Sequence, residues 1–263
     1  GILVNLSFRV RPNQAHNSIA ILNITEPIIN DASLVIQGTY GSIIIKNIIY
    51  GDVDANNQVQ AYDAALTLQY SVMMDPLPTI DPRPWIDWRF ERADVSGDNF
   101  IYAFDASLIL QYSVGLISQF PVETGHLNSY TSPDGLITLS HSNSELYFTA
   151  TDVSQIQGLN VEIPLVQGLA MGEIQFGELT QNWLKVSNPD NLSYRVAMAN
   201  CVETGQNINL FKIPYNCQNE LSIPVLITVN DDTLTVVCTL NPLSNDNPQL
   251  PVSNKVSQNY PNP

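Results

Sequence analysis

Two kinds of apolar pattern alternate along this chain. Residues 63–73 and 105–115 carry Leu, Tyr, Val and Met at helical spacing, which predicts two amphipathic helices that pack against each other. Elsewhere the apolar residues form short runs rich in Val, Ile, Tyr and Phe, separated by turn-forming Gly, Asn, Asp and Pro, which predicts strands. The sequence therefore predicts a mainly β protein with a small α module.

The longest β region is expected from about residue 135 to residue 243. Its candidate strands are GLITLSH, SELYFTATD, QGLNVEIPLV, MGEIQFGEL, LSYRVAMAN, INLFKI, LSIPVLITV and LTVVCTL. Eight short strands at near-regular spacing, with turns such as NPDN and NDD between them, are typical of an antiparallel β-sandwich. We take residues 123–134 as the linker before this sandwich and residues 244–263 as a polar tail after it.

A second β region occupies residues 1–49. It contains three β-rich runs, GILVNLSFRV, SIAILNI and GSIIIKNI. Three strands bury too little apolar surface for independent stability, and unpaired strand edges are association sites. We therefore expect an incomplete sandwich whose strands pair with upstream strands, with the α module or with a neighbouring subunit.

The α module, residues 50–122, contains a duplicated loop and helix. When Asp52 is aligned with Asp94, residues 52–72 and 94–114 agree at 12 of 21 positions without a gap. Each twelve-residue loop places oxygen-bearing side chains at positions 1, 3, 5 and 12, the donors that a calcium ion requires. The predicted calcium ligands, one ion per loop, are Asp52, Asp54, Asn56, Gln58, Gln60 and Asp63, then Asp94, Ser96, Asp98, Phe100, Tyr102 and Asp105.

The ligand types differ within each set. Gln58 and Phe100 would contribute backbone carbonyls, and Gln60 and Tyr102 would act directly or through water. Position 6, normally glycine in such loops, is Asn in both copies. Asn tolerates the left-handed backbone that this turn requires, so we expect Asn57 and Asn99 to adopt it.

This duplicated loop and helix, with its Gly-Asp-Val start and no entering helix, resembles a dockerin module. The resemblance implies calcium-dependent docking onto a cohesin-like domain of another protein or of a neighbouring subunit. It also implies recognition through loop positions 10 and 11 and the exit helix. These positions are Ala61, Tyr62, Gln69 and Tyr70 in the first half, and Ala103, Phe104, Gln111 and Tyr112 in the second. The alternative is that Tyr62 and Phe104 pack inside the module as its core.

The flanking regions carry further resemblances. Residues 1–49 are similar to the closing strands of a cohesin-like sandwich, and residues 135–243 resemble a cohesin-like or immunoglobulin-like sandwich. The terminal SNKVSQNYPNP resembles the start of a sorting domain read by the type IX secretion machinery. That resemblance implies export across the outer membrane and an extracellular or cell-surface location.

Charge and motifs narrow the function. The formal net charge of −15 argues against nucleic-acid binding, and no apolar run approaches the length of a membrane helix. The three histidines lie outside any hydrolase or metalloprotease pattern, so we expect no enzyme within this chain. Among the three cysteines, an oxidising compartment would allow a bridge between Cys201 and Cys217, with Cys238 buried.

Three functions remain open from the sequence. The first is a non-catalytic extracellular assembly protein whose calcium-ordered module docks onto a cohesin-type partner. The second is a structural subunit of a surface adhesin or homopolymeric filament completed by strand exchange. A weaker third is glycan binding by the second sandwich, with Trp183 and Tyr194 as stacking residues.

Overall fold

The chain divides into two compact units, Gly1–Ile49 and Tyr50–Pro263. The structure is a computed structural model. It describes residues 18–22, 28–29, 32–33, 41–45, 48–74, 85–125, 134–142, 144–200 and 205–242. The described part is mainly antiparallel β sheet with few helices, which confirms the predicted fold class.

The described residues of the first unit form two separate two-stranded sheets. Its strands are β1 (Ser18–Leu22), β2 (Ile28–Ile29), β3 (Ala32–Ser33) and β4 (Gly41–Ile45). β1 pairs with β4, and β2 pairs with β3, both antiparallel. Ile19 and Ile21 on β1 are 65% and 68% exposed. The predicted strand at residues 1–10 lies outside the described residues. That this unit pairs with strands from outside residues 1–49 stays a prediction.

The second unit begins with the α module. Its helices are α1 (Ala61–Ser71), α2 (Asp87–Ala93), α3 (Ala103–Ser113) and the short α4 (Pro121–Thr124). α1 and α3 pack against each other, as predicted. Both begin two residues earlier than expected, because Asp63 and Asp105 lie in the first turn and accept hydrogen bonds from the backbone N–H groups of Gln60 and Tyr102.

The rest of the second unit is a ten-stranded sandwich. Its strands are β5 (Ile137–Ser142), β6 (Glu145–Asp152), β7 (Gly158–Pro164), β8 (Leu169–Met171), β9 (Gln175–Phe176), β10 (Leu184–Pro189), β11 (Ser193–Ala199), β12 (Gln206–Cys217), β13 (Leu221–Val229) and β14 (Asp232–Leu240). One sheet has the order β10-β11-β7-β13-β14, and the other has β5-β6-β12-β8, with β9 also paired to β12.

Two strand predictions need correction. β10 was not expected, because LKVSNP is short and ends in turn-forming residues. The run MGEIQFGEL was expected to be one strand, but it is divided between the end of β8 and the two-residue β9. Gly172 and Gly177 fall in this run, and glycine weakens a strand interior.

The sandwich core contains residues that the sequence left open for other roles. Trp183 and Tyr194 are each only 4% exposed and belong to the core, so they cannot stack on a glycan. Cys217 and Cys238 are free, buried thiols, and the burial of Cys238 is as expected. Cys201, the other residue of the bridge that the sequence allowed, lies outside the described residues.

The sheet that contains β7, β10 and β11 is covered on both faces. On β11, Val196 and Met198 belong to the sandwich core, whereas Ala197 and Ala199 pack into the apolar cluster of the α module. The alternation follows from the two-residue side-chain period of a strand. β11 is therefore a central strand that the sandwich and the α module share.

Candidate functional site

The first loop is folded around two buried carboxylates. Asp52 accepts hydrogen bonds from the backbone N–H groups of Asn56 at 3.0 Å and Asn57 at 3.1 Å. Asp63 accepts from the backbone N–H groups of Val53 at 2.8 Å and Asp54 at 3.1 Å. These bonds hold both carboxylates toward the inside of the loop.

The carboxylates of loop 1 form a compact set of oxygen donors. Carboxylate oxygens of Asp52, Asp54 and Asp63 all lie within 4.8 Å of one another. Among the described residues this is the one such group of three acidic, histidine or cysteine side chains. Three converging carboxylates are a hard-donor set that fits calcium, with the remaining positions available for carbonyls and water.

A short helix outside loop 1 holds the first aspartate of the loop. In α2, which the sequence did not predict, Arg92 donates through Nη1 to Asp52 Oδ2 at 2.7 Å and to the Asp52 carbonyl at 2.9 Å. Arg89 donates through Nε to the carbonyl of Val53 at 3.1 Å. Both guanidinium groups lie over the ring of Trp88, at 4.7 and 5.0 Å. The carboxylate at position 1 of loop 1 therefore has the positively charged guanidinium group of Arg92 beside it.

The second loop is folded around its first and last aspartates in a similar way. Asp94 accepts from the backbone N–H groups of Gly97 at 2.8 Å and Asn99 at 3.1 Å. Asp105 accepts from those of Ser96 at 3.0 Å and Tyr102 at 2.9 Å. The described carboxylates of loop 2 do not meet as closely as those of loop 1. Calcium binding at loop 2 would therefore have to draw its ligands together.

The predicted backbone at position 6 is confirmed in both loops. Asn57 has φ 67° and Asn99 has φ 69°, both left-handed. Position 4 is also left-handed, with φ 63° at Ala55 and φ 86° at Gly97. Glycine adopts this conformation freely, whereas alanine is strained there, so loop 1 carries a cost that loop 2 avoids.

The ionisation of the loops responds to burial. Burial raises the pKa of Asp63 to about 6, although the N–H of Gln60 opposes the shift. Burial raises the pKa of Asp105 well above its ordinary value. It also raises the pKa values of Asp94 and Asp98, and the charge of Asp98 adds to the shift of Asp94. Closely packed carboxylates that resist losing protons are the groups that a divalent cation would stabilise.

The α module is hydrogen-bonded to the sandwich of the same chain. At the start of α3, the backbone N–H of Ala103 donates to Asn160 Oδ1 at 2.7 Å. The hydroxyl of Ser107 donates to the carbonyl of Asn200 at 2.6 Å. From the sheet side, Asn160 Nδ2 donates to Ser71 Oγ at 3.0 Å, at the end of α1. We call this contact, made by α1 and α3 on the outer face of β7, β10 and β11, the docking face.

Apolar contacts complete the docking face. Leu184, Val186, Ala197 and Ala199 of β10 and β11 pack into the apolar cluster of the module. Gly158 permits the closest approach, because a Cβ atom there would lie 2.2 Å from the backbone nitrogen of Phe104. The small residues on this face let the helices approach the sheet directly.

Three of the eight predicted partner-binding residues lie against the sandwich. Ala103, Phe104 and Gln111 are buried, and Gln111 Nε2 lies 3.3 Å from Gln157 Oε1 of the sandwich. They are therefore covered within this chain rather than open to solvent. Binding of a separate partner through these residues stays a prediction.

The remaining partner-binding residues have mixed positions. Gln69 is buried, Ala61 is half-buried, and Tyr62 is 36% exposed. Tyr70 lies against Trp85 with ring centroids 4.2 Å apart, and Tyr112 stacks on Phe120 at 4.6 Å. The two tyrosines thus pack within the module, whereas Tyr62 remains accessible.

Three residues of this site were missed in the sequence. Arg92 lies on α2, and Gly158 and Asn160 lie on β7, so none of them is in the duplicated motif. The sequence did indicate the contact at Gly158, because a glycine inside a strand pattern often marks a place where another backbone approaches closely.

Comparison with known proteins gives two weak structural neighbours. No family model matches this chain, and no curated protein matches it. One similar structure is the third cohesin ScaC in complex with the ScaB dockerin from Acetivibrio cellulolyticus. It is 38% identical, the match covers 30% of this chain and 99% of that chain, and the TM-score is 0.25. Another is a non-cellulosomal cohesin from the archaeon Archaeoglobus fulgidus, 16% identical, with 39% and 81% coverage and a TM-score of 0.31.

Helices in the described part of the chain are too short or too polar to cross a membrane.

Proposed function

We propose that this chain is a non-catalytic extracellular assembly protein. Its calcium-ordered α module associates with β-sandwiches of the cohesin type, both in its own chain and in a partner. The observation that carries the proposal is the docking face, because a loop-and-helix module is attached there to a β-sheet surface through specific hydrogen bonds. The dockerin-like pattern of the duplicated loops supports the same function.

The composition of the docking face favours a separable contact. It combines several polar bonds with a patch of small apolar residues, as interfaces between folded partners do. The sandwich has an apolar core of its own, whereas the apolar cluster of the module is completed by four residues on the outer face of β10 and β11. A second chain that presents an equivalent sheet face could therefore replace the sandwich of this chain.

The calcium part of the proposal rests on the converging carboxylates of loop 1 and the matching bonds of loop 2. When bound, the ion would neutralise buried negative charge, and the residues of each loop would hold it at the start of the exit helix. The sorting-domain resemblance of the C-terminal residues supports export across the outer membrane to the cell surface.

The alternative is a structural subunit of a surface adhesin or filament, completed by strand exchange. Ile19 and Ile21, which are largely exposed on the two-stranded β1–β4 sheet, favour it. An uncovered apolar sheet is a site for strand addition by another subunit.

A complementation experiment separates these functions. Gly158→Ala disrupts the sandwich surface of the docking face and leaves the α module intact. Ser107→Arg disrupts the module surface and leaves the sandwich intact. We expect each variant to be monomeric, and their mixture to form a heterodimer in calcium but not in chelator. Sedimentation velocity measures the mass of each species.

The control is Gly172→Ala, which changes a glycine of the sandwich that contacts Pro214 rather than the module. Its module should stay docked, so it should not pair with Ser107→Arg. If Gly158→Ala and Ser107→Arg both fold but their mixture forms no heterodimer, docking of the module onto the sandwich of another chain is contradicted. Open polymers of the unmodified chain would favour the filament.

A further inference from the structure

A cleft lies on the outer face of the sheet, beside the docking face. The helices of the module cover this face at β7, β10 and β11, and the same face continues over β13 and β14. There it is open, because Leu226 on β13 and Val237 on β14 are 41% and 69% exposed. The cleft between this open part and the module has a volume of about 400 Å³, which is enough for a small ligand.

The floor of the cleft is polar. Paired residues of neighbouring strands point to the same side of a sheet, so their side chains form rows across it. One row contains Thr233 and Thr228, whose hydroxyl oxygens are hydrogen-bonded at 2.9 Å. The next row contains Glu162 and Arg195, which form an ion pair at 2.9 Å. The floor thus presents hydroxyl, carboxylate and guanidinium groups side by side.

The guanidinium group of Arg195 has a hydrogen-bond donor that remains unused. Its Nη1 and Nη2 atoms pair with Asp190 and Glu162. Its Nε is buried and has no hydrogen-bond acceptor among the described residues. A buried donor without an acceptor is costly, so a ligand oxygen that accepted a bond from this group would remove that cost.

The wall that the module contributes to the cleft is aromatic. Tyr70, Phe90, Phe100 and Tyr102 all line it. Phe100 and Tyr102 of loop 2 are stacked, with ring centroids 5.7 Å apart and ring planes at 20°. Phe100 is nevertheless 58% exposed. Such a pair of rings offers a broad apolar surface to a ligand.

Met73, which also lines the cleft, has a strained backbone. Its φ is 60°, in the left-handed region, and its side chain is 49% exposed. The equivalent residue of the second repeat is Gly115, with φ 77°. Strained residues of this kind cluster at ligand sites, where the position of the side chain compensates for the strain. The first repeat therefore keeps a methionine beside the cleft at a position where glycine fits without strain.

We propose that this cleft binds a neutral saccharide. A sugar ring has apolar C–H faces, which match the aromatic wall, and hydroxyl groups that both donate and accept hydrogen bonds, which match the polar floor. An apolar side chain of a partner protein would match only the wall and would leave the polar groups of the floor unpaired. The net charge of −15 and the pairing of Arg195 with Glu162 disfavour an anionic ligand.

This assignment differs from the glycan site that the sequence suggested. Trp183 and Tyr194 lie inside the sandwich core, whereas the cleft is on its outer face and is completed by the module. A saccharide bound there would contact both parts of the second unit, beside the docking face.

The experiment first screens the full chain against an array of neutral and anionic oligosaccharides. The array carries fragments of polysaccharides and glycans of glycoproteins, so the strongest signal also identifies the source of the saccharide. Titration calorimetry then measures the affinity for the neutral oligosaccharide with that signal. Absence of any bound neutral oligosaccharide, or binding of anionic ones alone, would overturn the inference.

Variants of Phe100 locate the binding site. Phe100→Ala removes the exposed ring but keeps the backbone carbonyl of loop 2, and it should weaken binding at least about tenfold. Phe100→Tyr keeps the aromatic face and should retain the affinity. The control is Leu192→Ala, which removes an apolar side chain that is 75% exposed but lies outside the cleft. Its affinity should be that of the unmodified chain.

Met73→Gly separates binding from folding. It removes the backbone strain, so the melting temperature should not fall, whereas loss of the side chain from the cleft should weaken binding. Unchanged affinity in both Phe100→Ala and Met73→Gly would overturn the inference. The proposed docking is measured separately, by heterodimer formation without saccharide, so its failure is distinguishable from that of the saccharide site.

Discussion

The two halves of the α module have nearly the same sequence but different surroundings. They agree at 12 of 21 aligned positions, and in both loops the first and last aspartates accept hydrogen bonds from backbone N–H groups at equivalent positions. Arg92 and Arg89 of α2 clamp loop 1, and half of the residues of this loop are exposed. Loop 2 borders the sandwich, and its exit helix is buried against the sheet.

The difference shows that the duplicated motif determines where the carboxylates lie within each loop, whereas tertiary contacts determine what surrounds the loop. The same position 11 is exposed as Tyr62 in one half and buried as Phe104 in the other. Loop 1 has the cationic Arg92 beside its first aspartate, whereas the helix that follows loop 2 packs on the sandwich. The two loops therefore differ in their surroundings more than in their sequence.

The largest expected effect compares position 11 in the two halves. Phe104→Ala removes a fully buried ring and should destabilise the second unit by about 3–5 kcal/mol. Tyr62→Ala removes a partly exposed ring and should cost less than about 1 kcal/mol. Denaturant unfolding in calcium measures both free energies. Equal losses would show that the two halves are packed alike.

The second prediction concerns pH in the presence of chelator. The folded-state pKa of Asp63, about 6, lies above the unfolded value near 3.8, so the folded form binds the proton more tightly. The resulting stability is fully present below about pH 4 and is lost as the pH rises through about 6, which corresponds to about 2–3 kcal/mol. Melting temperatures from pH 4 to 8 measure this loss, and calcium should remove it.

The same titration extends to loop 2. Burial raises the pKa of Asp105 well above its ordinary value, so its contribution to stability is likewise lost as the pH rises. Asp105→Asn and Asp63→Asn should therefore each flatten the pH profile measured in chelator. A profile that neither variant changes would contradict proton binding by these buried carboxylates.

A third prediction concerns the clamp on loop 1. Arg92→Met leaves the buried carboxylate of Asp52 without its ion-pair partner, which should cost about 2 kcal/mol in chelator because Arg92 is partly exposed. In saturating calcium the loss should be smaller, because the ion replaces the missing positive charge. Paired unfolding curves with and without calcium provide the measurement. A loss that calcium leaves unchanged would argue against an ion at Asp52.

The smallest effect is expected at position 4 of the loops. Ala55→Gly removes the strain of a left-handed alanine and should stabilise the module by about 1 kcal/mol, less the entropy that glycine loses on folding. Gly97→Ala introduces that strain into loop 2 and should destabilise it. Thermal unfolding of both variants checks the signs. Destabilisation by Ala55→Gly would contradict the strain assigned to loop 1.

The duplicated loops were predictable because their chemistry is local. Ligand spacing, the left-handed Asn57 and Asn99, and helices with apolar residues at helical spacing all depend on residues close in sequence. Most strands of the sandwich could likewise be predicted from alternation and turn residues. Ala197 and Ala199 lie on the outer face of β11, and their apolar character was a local sign in the sequence that this face is also covered.

The surroundings of the loops depend on contacts between distant parts of the chain. Arg92 reaches Asp52 across 40 residues, and Ser107 reaches Asn200 across 93. The seven-residue α2 has too few turns to show a clear apolar period, so a helix was not expected there.

Native mass spectrometry of the full chain tests the central claim most directly, because it counts bound ions and subunits in one measurement. We predict a monomer with two calcium ions, of which both are lost in chelator, and a melting temperature that falls with their removal. Stabilisation by binding would amount to about 2.7 kcal/mol per site at calcium concentrations one hundredfold above Kd. A folded chain that retains no calcium at millimolar concentration, and whose melting temperature does not respond to chelator, would contradict the account.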